Sequence, residues 1–298
     1  MRVVDLFAGC GGMSLGLQQA GFNVVGAFDN WDAAIAIYRD NFKHPIHKAD
    51  LSGQDVVDLI KGLKPDLIAG GPPCQDYSIA GKRSLGKRAN LTIRFAEIVV
   101  AVRPTWVIFE NVYNIEKFRT LPAMKKILSE GGYGFSAMVL DASRCGVPQR
   151  RKRYFLVGKL NENDGFLDSL MIGGQDKKSM TVRDYLGDSL GTEYYYMHPR
   201  SYNRRAVFSI DEPASTIRGI NRPIPTNYKK HPADKVAITS DVRALTTKER
   251  SLLQTFPEEF TFPGAKTDVE LAIGNAVPPR LATYVATCIK KWQKKRKG

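Results

Sequence analysis

The chain has 298 residues and a formal net charge of +14, and 43% of its residues are hydrophobic. This length suits one large domain or two smaller ones, and the composition is that of a soluble globular protein without an apolar stretch of membrane-spanning length. Because the first residues run directly into a strand-like segment and leave no room for a signal peptide, we expect a cytosolic or nucleoid-associated protein.

The cysteines and histidines give no indication of a metal site. The four cysteines lie far apart in the sequence, and the four histidines form no cluster with them at ligand spacing. A structural zinc and a disulfide framework are therefore not expected.

The excess of Lys and Arg favours a polyanionic partner, most simply nucleic acid. For any single cluster a solvated basic surface is the better interpretation. Several clusters of the same sign favour the partner, and they lie at residues 82–88, 150–153, 200–205, 218–222 and 290–297.

The first fifty residues predict a nucleotide-binding βαβ unit. An apolar strand at 3–8 leads into the glycine-rich turn 9–12, a helix at 14–20 and a second strand at 24–28 that ends at Asp29. Glycines in such a turn let the backbone approach a ligand, and an acid ~20 residues further on suits the hydroxyls of a ribose. A tight structural turn is the alternative.

The glycine pattern departs from the dinucleotide fingerprint, because Ser14 stands where a third glycine is needed. A ligand without a pyrophosphate, such as S-adenosylmethionine, relaxes that demand. Next come a predicted helix at 31–42 and a short strand at 45–50 that ends at Asp50. Asp50 is a candidate acceptor for an adenine amino group, and a helix N-cap is the competing interpretation.

Cys74 is the candidate nucleophile. A predicted helix at 56–63 and the apolar strand 66–69 precede Gly70-Gly71-Pro72-Pro73, so that Cys74 follows on a stiff loop at the carboxyl end of a strand. Ligands bind at this edge of open α/β sheets. The alternative is a small core residue, the usual role of a free cysteine.

Glu110 is predicted to lie beside this loop. The polar, basic segment 78–90 and the helix 91–102 lead to the buried strand 105–109, and Glu110 follows this strand directly. Right-handed crossover geometry places the two strand ends side by side. A segment as long as 78–90 is usually functional or disordered, and we expect it to close over a substrate.

The next segments include a basic strand. We predict a helix at 117–131 and strands at 135–140 and 153–158. Alternation along an extended chain would send Gln149, Arg151 and Arg153 to one face, toward a shared target. A solvated hairpin is the alternative interpretation.

The character of the chain changes after residue 170. Residues up to about 265 have weak periodicity, many breakers (among them Pro199, Pro213, Pro223, Pro225 and Pro232) and the run Tyr194-Tyr195-Tyr196, which predict a small irregular domain with basic loops. A clean pattern returns at 271–292, where residues 273–279 open a helix with an apolar, core-facing stripe.

Five short motifs resemble those of the cytosine carbon-5 DNA methyltransferases, in particular the compact bacterial modification enzymes. They lie at residues 5–12, 71–75, 110–112, 149–153 and 274–278, in the order found in the family and over nearly the whole chain. The implied fold is an α/β, Rossmann-like S-adenosylmethionine-dependent methyltransferase domain with a smaller irregular target-recognition domain. The implied division is 1–172 plus 270–298 for the catalytic domain and 173–269 for recognition.

The resemblance also implies the catalytic roles. Cys74 is the expected nucleophile, Glu110 the group that contacts N3 of cytosine, and Arg153 with Arg151 the contacts to the ring oxygen and exocyclic positions. A thiolate added to carbon 6 turns the ring into an enamine that can accept a methyl group at carbon 5. A carboxyl that donates to N3 must be protonated, so we predict a raised pKa for Glu110.

The remaining expected site residues bind the cofactor or the DNA. The cofactor is S-adenosylmethionine, and its site comprises Phe7, Ala8, Gly9, Gly11, Gly12, Asp29, Asn30, Asp50, Leu51, Pro72, Asn275 and Ala276. The expected DNA contacts are Gln75, Ser78, Lys82, Arg83, Arg204, Arg205, Arg218 and Arg222. The partner is duplex DNA with the target base flipped out of the stack, and we expect a monomer functionally paired with a restriction endonuclease.

Three alternatives remain at this point. An RNA cytosine methyltransferase would use the same catalytic set on another substrate, such as transfer RNA. A non-catalytic DNA-binding protein could use the same scaffold, although every catalytic position holds a competent residue. A nicotinamide-dependent oxidoreductase is disfavoured by the incomplete glycine pattern and by the strong basicity.

Overall fold

The computed structural model describes residues 1–53, 55–73, 91–201 and 203–296. The predicted nucleophile Cys74 lies outside the described residues. The predicted DNA contacts Gln75, Ser78, Lys82 and Arg83 lie outside them as well.

A mixed seven-stranded sheet forms the centre of the described chain, in the order β3-β2-β1-β4-β5-β7-β6. Strands β1 to β5 pair in parallel, and β7 runs antiparallel between β5 and β6. The strands are β1 (Arg2–Leu6), β2 (Asn23–Asp29), β3 (Ile46–Lys48), β4 (Leu67–Gly70), β5 (Trp106–Val112), β6 (Tyr133–Asp141) and β7 (Lys152–Leu160).

Helices cover both faces of this sheet. Successive side chains along each buried strand point to opposite faces, so both faces carry apolar groups that the helices bury. Val3 points into a core cluster that includes the C-terminal helix, whereas its neighbour Val4 points into a cluster on the opposite face. The helices that connect the strands are α1 (Gly12–Gln19), α2 (Asp32–Asn41), α3 (Val56–Gly62), α4 (Leu91–Val102) and α5 (Thr120–Glu130).

The carboxyl ends of β4 and β5 lie side by side, as the sequence predicts, since Gly70 pairs in register with Phe109. Strand order reverses at β1, which lies between β2 and β4. A reversal of this kind opens a crevice outside the carboxyl ends of the strands, where ligands bind in open α/β sheets. The glycine turn and the β4 loop follow strands at this edge, and Glu110 lies within β5, one residue beyond its last pairing with β4.

The irregular segment carries a small sheet of its own, in the order β10-β8-β9. Tyr195 and Tyr196 of the tyrosine run are fully buried, so the run builds a core. The elements of this segment are α6 (Asp168–Gly173), α7 (Val182–Leu186), β8 (Tyr194–Tyr196), β9 (Val207–Ser209), β10 (Arg243–Ala244) and α8 (Thr247–Leu253).

The last part of the chain forms two helices, α9 (Lys266–Asn275) and α10 (Pro279–Lys295). The predicted helix with the apolar stripe begins at Pro279, because the residue before a proline is driven out of the helical region. Helix α10 packs on α1 at the other end of the chain. The predicted domain boundary at residue 270 falls inside α9, so a division there would cut a continuous helix.

Among the described residues, no helix combines the length and the apolar character required to cross a bilayer.

Candidate active site

The turn after β1 is shaped by its glycines and by Asp29. Gly9 and Gly11 both adopt positive φ, at 55° and 94°, a region that an L side chain rarely enters. Oδ2 of Asp29 accepts a hydrogen bond from the Gly9 N–H at 2.8 Å, and Oδ1 accepts two more from the N–H groups of Asn30 and Trp31. Asp29 therefore joins the end of β2 to the turn.

Three occupied acceptor positions limit what Asp29 can offer a ligand. A carboxylate has about four lone-pair sites, so one position remains, on Oδ2. The predicted pair of ribose hydroxyls needs a second partner, and the exposed side chain of Asn30 is adjacent.

Phe7 is strained at the start of this turn, with φ at 58°. Non-glycine residues in this region cost roughly 1–3 kcal/mol and cluster at ligand sites. The residue before it in the strand, Leu6, and the following Ala8 have ordinary conformations, and the Ala8 N–H donates to the Phe28 carbonyl at 3.0 Å. The strain is thus confined to the backbone of Phe7, the residue that joins β1 to the glycine turn.

A buried polar chain lies beneath the turn and was not predicted from the sequence. Oγ of Ser14 donates to Oδ2 of Asp5 at 2.6 Å, and the Tyr38 hydroxyl donates to Oγ of Ser14 at 2.7 Å. Burial raises the pKa of Asp5 to about 7, the Ser14 hydrogen bond lowers it and the charge of Asp29 raises it. Ser14, the residue that interrupts the glycine fingerprint, therefore anchors α1 to β1.

Asp50 follows β3 and accepts a hydrogen bond from the Ser52 N–H at 3.0 Å. The alternative role as a helix N-cap is not observed, since α3 begins at Val56 and Asp55 is its N-cap. The adjacent Leu51 is buried, and its carbonyl accepts from Nε of Arg94 at 3.1 Å. Arg94 thus fixes the loop that carries Asp50.

Asn111, for which no role was predicted, ties the ends of β4 and β5 together. Nδ2 of Asn111, which is 4% exposed, donates to the Pro72 carbonyl at 2.9 Å. A Cβ atom at Gly71 would lie 2.9 Å from Oε2 of Glu110, so only glycine fits there without displacing the carboxyl. The loop that leads to Cys74 therefore starts in contact with Glu110.

Glu110 is buried and paired with Arg153. Oε1 of Glu110 lies 3.1 Å from Nε of Arg153. As predicted, the pKa of Glu110 is raised: burial disfavours the carboxylate, whereas Arg153 and Arg151 act in the opposite direction. The pKa of Arg153 is lowered, again by burial first, with Glu110 opposing. Burial therefore opposes the charge on both members of the pair.

Gln149, Arg151 and Arg153 do not share one target, contrary to the prediction. Gln149 forms an isolated bridge with Ala214 and Arg151 precedes β7, so the alternation of one continuous strand does not apply to them. The buried guanidinium of Arg151 donates to the carbonyls of Ile217, Gly274 and Ala276 at 2.9–3.0 Å, and Oε1 of Gln149 accepts from the Ile217 N–H. Arg151 supports the site from below, and Arg153 alone pairs with Glu110.

The remaining predicted cofactor residues lie on the segment between α9 and α10. The carbonyl of Ala276 is one acceptor of Arg151, and Asn275 is exposed. A Cβ atom at Gly12 would lie 2.1 Å from the Val277 carbonyl oxygen, so the start of α1 is in direct contact with this segment. The two ends of the chain meet at the glycine turn.

The predicted DNA-contacting arginines divide into two kinds. Arg205 has an internal partner, since Nη1 and Nη2 donate to the two carboxylate oxygens of Glu212 at 3.0 and 2.6 Å. Arg218 donates to the His198 carbonyl at 2.6 Å, and its pKa is lowered by burial and by the charges of Arg200 and Arg204. Arg204 and Arg222 are exposed.

These residues fit S-adenosylmethionine. Among the described residues, no atom lies within 4 Å of the position of a Cβ at Gly9, so a ligand can approach the backbone of the turn. One acceptor position on Asp29, the side chain of Asn30 and the carboxylate of Asp50 face the ends of neighbouring strands. The sheet order with its antiparallel β7, together with this turn, defines the class of the S-adenosylmethionine-dependent methyltransferases.

Comparison with known proteins gives the family. Residues 1–291 match the model for the C-5 cytosine-specific DNA methylases. The chain is 53% identical over 298 residues to the type II methyltransferase M.HindV of Haemophilus influenzae, which covers 99% of this chain and 98% of that protein. It is also 53% identical over 294 residues to M.HgiDI of Herpetosiphon aurantiacus, with 98% and 95% covered. The chain belongs to the C-5 cytosine-specific DNA methylases.

Solved structures show the same fold. The S. pombe Dnmt2 methyltransferase superposes with a TM-score of 0.73 at 18% identity, covering 98% of both chains. A DNMT2 variant from Spodoptera frugiperda gives 0.72 at 17% identity, covering 97% of this chain and 99% of that one. The protein is a DNA (cytosine-5-)-methyltransferase, its substrate is DNA, and its methyl donor is S-adenosylmethionine.

Proposed function

We propose that this enzyme methylates one cytosine within a specific duplex DNA sequence, by flipping the base out of the helix and forming a transient bond from Cys74 to carbon 6. The observation that supports this most strongly is the buried Glu110–Arg153 pair, with Oε1 and Nε 3.1 Å apart, at the end of the strand beside the one that leads to Cys74. Both type II relatives are 53% identical to this chain.

The steps at the base follow from the residues. The Cys74 thiolate adds to carbon 6 while Glu110, protonated because it is buried, donates to N3. Arg153 contacts the ring oxygen, and Arg151 acts as a positioning residue beneath it. S-adenosylmethionine supplies the methyl group that carbon 5 accepts. A base then removes the proton from carbon 5 and the thiol leaves.

The cofactor is proposed to bind across the ends of β1 to β3. Phe7, Ala8, Gly9, Gly11 and Gly12 provide the turn. Asp29 and Asn30 share the ribose hydroxyls, and Asp50 with Leu51 contacts the adenine. Pro72, Asn275 and Ala276 line the side nearest the reacting base.

Trapping of the covalent bond tests the proposal. Duplex DNA with 5-fluorocytosine at the target should form a stable adduct with the enzyme, because the fluorine at carbon 5 cannot leave as a proton does. Cys74→Ser should form no adduct and transfer no methyl group while it still binds DNA. Cys145→Ala is the matched control, since burial raises the pKa of that thiol to about 12 and it carries no thiolate near neutral pH. Turnover by Cys74→Ser would refute the nucleophile.

The choice between duplex DNA and transfer RNA as the substrate has its own test. Methyl transfer to duplex DNA should far exceed transfer to transfer RNA, and the reverse result would establish the RNA alternative. Bisulfite sequencing of host DNA after expression would then give the recognised site and the cytosine methylated within it.

We also propose the cellular setting. The enzyme acts as a monomer in the bacterial cytoplasm, associated with the nucleoid when bound to DNA, and it protects sites that a paired restriction endonuclease would cleave. The catalytic domain comprises residues 1–173 and 266–298, with the predicted boundaries moved to the end of α6 and the start of α9, and residues 174–265 recognise the target. Sedimentation with and without duplex DNA tests the monomer, and resistance of expressed plasmid DNA to the cleavage enzyme tests the pairing.

A further inference from the structure

Residues 217–222, here called the recognition loop, are held at their start by two buried side chains. Oε1 of Gln149 accepts from the Ile217 N–H at 2.8 Å, and Nη1 of Arg151 donates to the Ile217 carbonyl at 2.9 Å. Arg151 also lowers the pKa of Glu110 by its charge. The loop therefore starts close to the catalytic carboxyl.

A buried ion pair holds the rest of the loop. Nε of Arg250 lies 2.7 Å from Oε2 of Glu270, and both side chains are almost fully buried. Arg250 also donates to the Arg218 carbonyl, and Oε1 of Glu270 accepts from Nδ2 of Asn221 at 2.9 Å. One charge pair thus fixes the loop at two positions.

Close backbone packing adds to these contacts. A Cβ atom at Gly274 would lie 2.2 Å from the backbone nitrogen of Gly219, and one at Gly219 would lie 2.6 Å from Cδ1 of Leu271. The loop backbone therefore rests directly on α9. Because its geometry is set by buried groups, the loop presents its outward side chains without further ordering on binding.

Ile220 and Arg222 are exposed on this loop, and Arg218 is partly buried, with its guanidinium on the His198 carbonyl. They lie within a basic cluster, since Arg200 and Arg204 lower the pKa of Arg218, and Arg222 and Arg218 lower that of His198 after burial. Among the described residues, no carboxylate forms an ion pair with Arg200, Arg204, Arg218 or Arg222. Such a cluster suits the phosphates of DNA.

Ile220 is the exception within this polar surface, with 47% of its surface exposed. It lies between Arg218 and Arg222 in the sequence, and it belongs to none of the hydrophobic core clusters of the described residues. In duplex DNA the apolar group on a base edge of the major groove is the 5-methyl group of a pyrimidine, which apolar side chains contact.

We propose that Ile220 contacts the 5-methyl group of a pyrimidine in the bound duplex and is a specificity-determining residue of this enzyme. The proposal rests on the proposed function, recognition of a specific duplex sequence. The methyl group belongs either to a thymine of the site or to a 5-methylcytosine already present on the complementary strand.

Substitution of single bases tests the contact. Once the site is mapped, each thymine is replaced by deoxyuridine, and separately the complementary-strand cytosine is compared with 5-methylcytosine. At one position the wild-type enzyme should lose about fourfold in kcat/KM when the methyl group is absent, as expected for one methyl-sized contact. Ile220→Ala should show no difference between the two duplexes.

Ile172→Ala is the matched control, because Ile172 is an exposed isoleucine (62%) on α6. It should respond as the wild type does, and thermal unfolding should confirm that all three proteins are folded. The deoxyuridine and 5-methylcytosine arms identify which methyl group is contacted. Equal responses of Ile220→Ala and wild type at every position would overturn the proposal. Failure of wild-type enzyme to methylate any duplex would instead refute the proposed function itself.

Discussion

The carboxyl group of Glu110 is subject to two opposed electrostatic effects. Burial disfavours its charged form, whereas the guanidinium groups of Arg153 and Arg151 favour it. The first effect is the larger one, so the pKa is raised although Oε1 lies only 3.1 Å from Nε of Arg153. Burial lowers the pKa of Arg153 as well, with Glu110 opposing.

The raised pKa predicts the pH dependence of the chemical step. The protonated carboxyl is the active form in the proposed mechanism, so the single-turnover rate should fall as the pH rises through this pKa. Glu110→Gln should lower the rate about 100-fold, the scale of general acid catalysis, and should remove this decline. S-adenosylmethionine binding, measured by calorimetry, should change little. An unchanged decline in Glu110→Gln would show that another group titrates.

The buried carboxyl of Asp5 predicts a pH dependence of stability. Its pKa rises from 3.8 to about 7 on folding because of burial, so the unfolded chain releases its proton first as the pH increases. The protonated carboxyl of Asp5 therefore contributes its full stabilisation of the folded state below pH 4. This contribution is lost by about pH 7, and it amounts to up to ~4 kcal/mol at 1.36 kcal/mol per pKa unit.

Asp5→Asn should therefore flatten the dependence of the unfolding free energy on pH between 4 and 7, because the amide does not titrate. It keeps an acceptor for the Ser14 hydroxyl, which donates to Asp5 at 2.6 Å. Urea unfolding at several pH values measures the effect. Parallel curves for the two proteins would show that Asp5 ionises alike in both states.

Among the secondary elements, the contact between α1 and α10 joins the two ends of the chain. A Cβ atom at Gly16 would lie 2.2 Å from the Pro279 carbonyl oxygen and 2.6 Å from the Ala282 side chain. Thr283 adds a hydrogen bond to the Gly16 carbonyl at 3.0 Å. The two helices therefore approach as closely as their backbones permit.

Gly16→Ala should destabilise the protein by at least ~1–3 kcal/mol, because the new methyl group meets backbone atoms that cannot move independently. Gly62→Ala is the matched control, since no described atom lies within 4 Å of a Cβ at that helical position. It should change stability by less than ~1 kcal/mol. Equal effects in denaturant unfolding would mean that the helices can separate without cost.

The same elements show what the sequence could predict. Helix α4 ends at Val102, as predicted, because the apolar run stops there and Arg103 and Pro104 follow. The pairing of β4 with β5 followed from crossover geometry. The role of Arg151 did not follow, since its acceptors Gly274 and Ala276 lie 123 and 125 residues away in the sequence. Local patterns carry no information about such contacts.

The glycines and polar residues of the site show the same limit. The sequence indicated a ligand near Gly9 and Asp29, but not that Asp29 spends three acceptor positions on backbone N–H groups. Asn111 was part of a recognised motif without a role, and its contact with Pro72 requires two strands in register. The partners of a side chain depend on the tertiary structure, and the local sequence pattern does not specify them.

For the whole molecule, the net charge is +14, and the four arginines of the proposed DNA surface (Arg200, Arg204, Arg218 and Arg222) lack ion-paired carboxylates within the described chain. By contrast, Arg183 is surrounded by Asp188, Glu193 and Asp211. We infer that the first group of arginines binds DNA, whereas Arg183 stabilises the folded structure.

This distribution predicts the salt dependence of DNA binding. Each arginine that neutralises a phosphate contributes about 0.9 to the slope of log affinity against log salt concentration, through release of counterions. Arg204→Gln and Arg222→Gln should each reduce the slope by about that amount, and the double variant by about twice as much. Lys126→Gln is the control, because this exposed lysine pairs with Glu130 on α5 at 3.7 Å. Fluorescence anisotropy with a cognate duplex between low and moderate salt gives the slopes. An unchanged slope in the double variant would show that neither arginine contacts a phosphate, because the loss of a phosphate contact reduces the number of counterions released on binding.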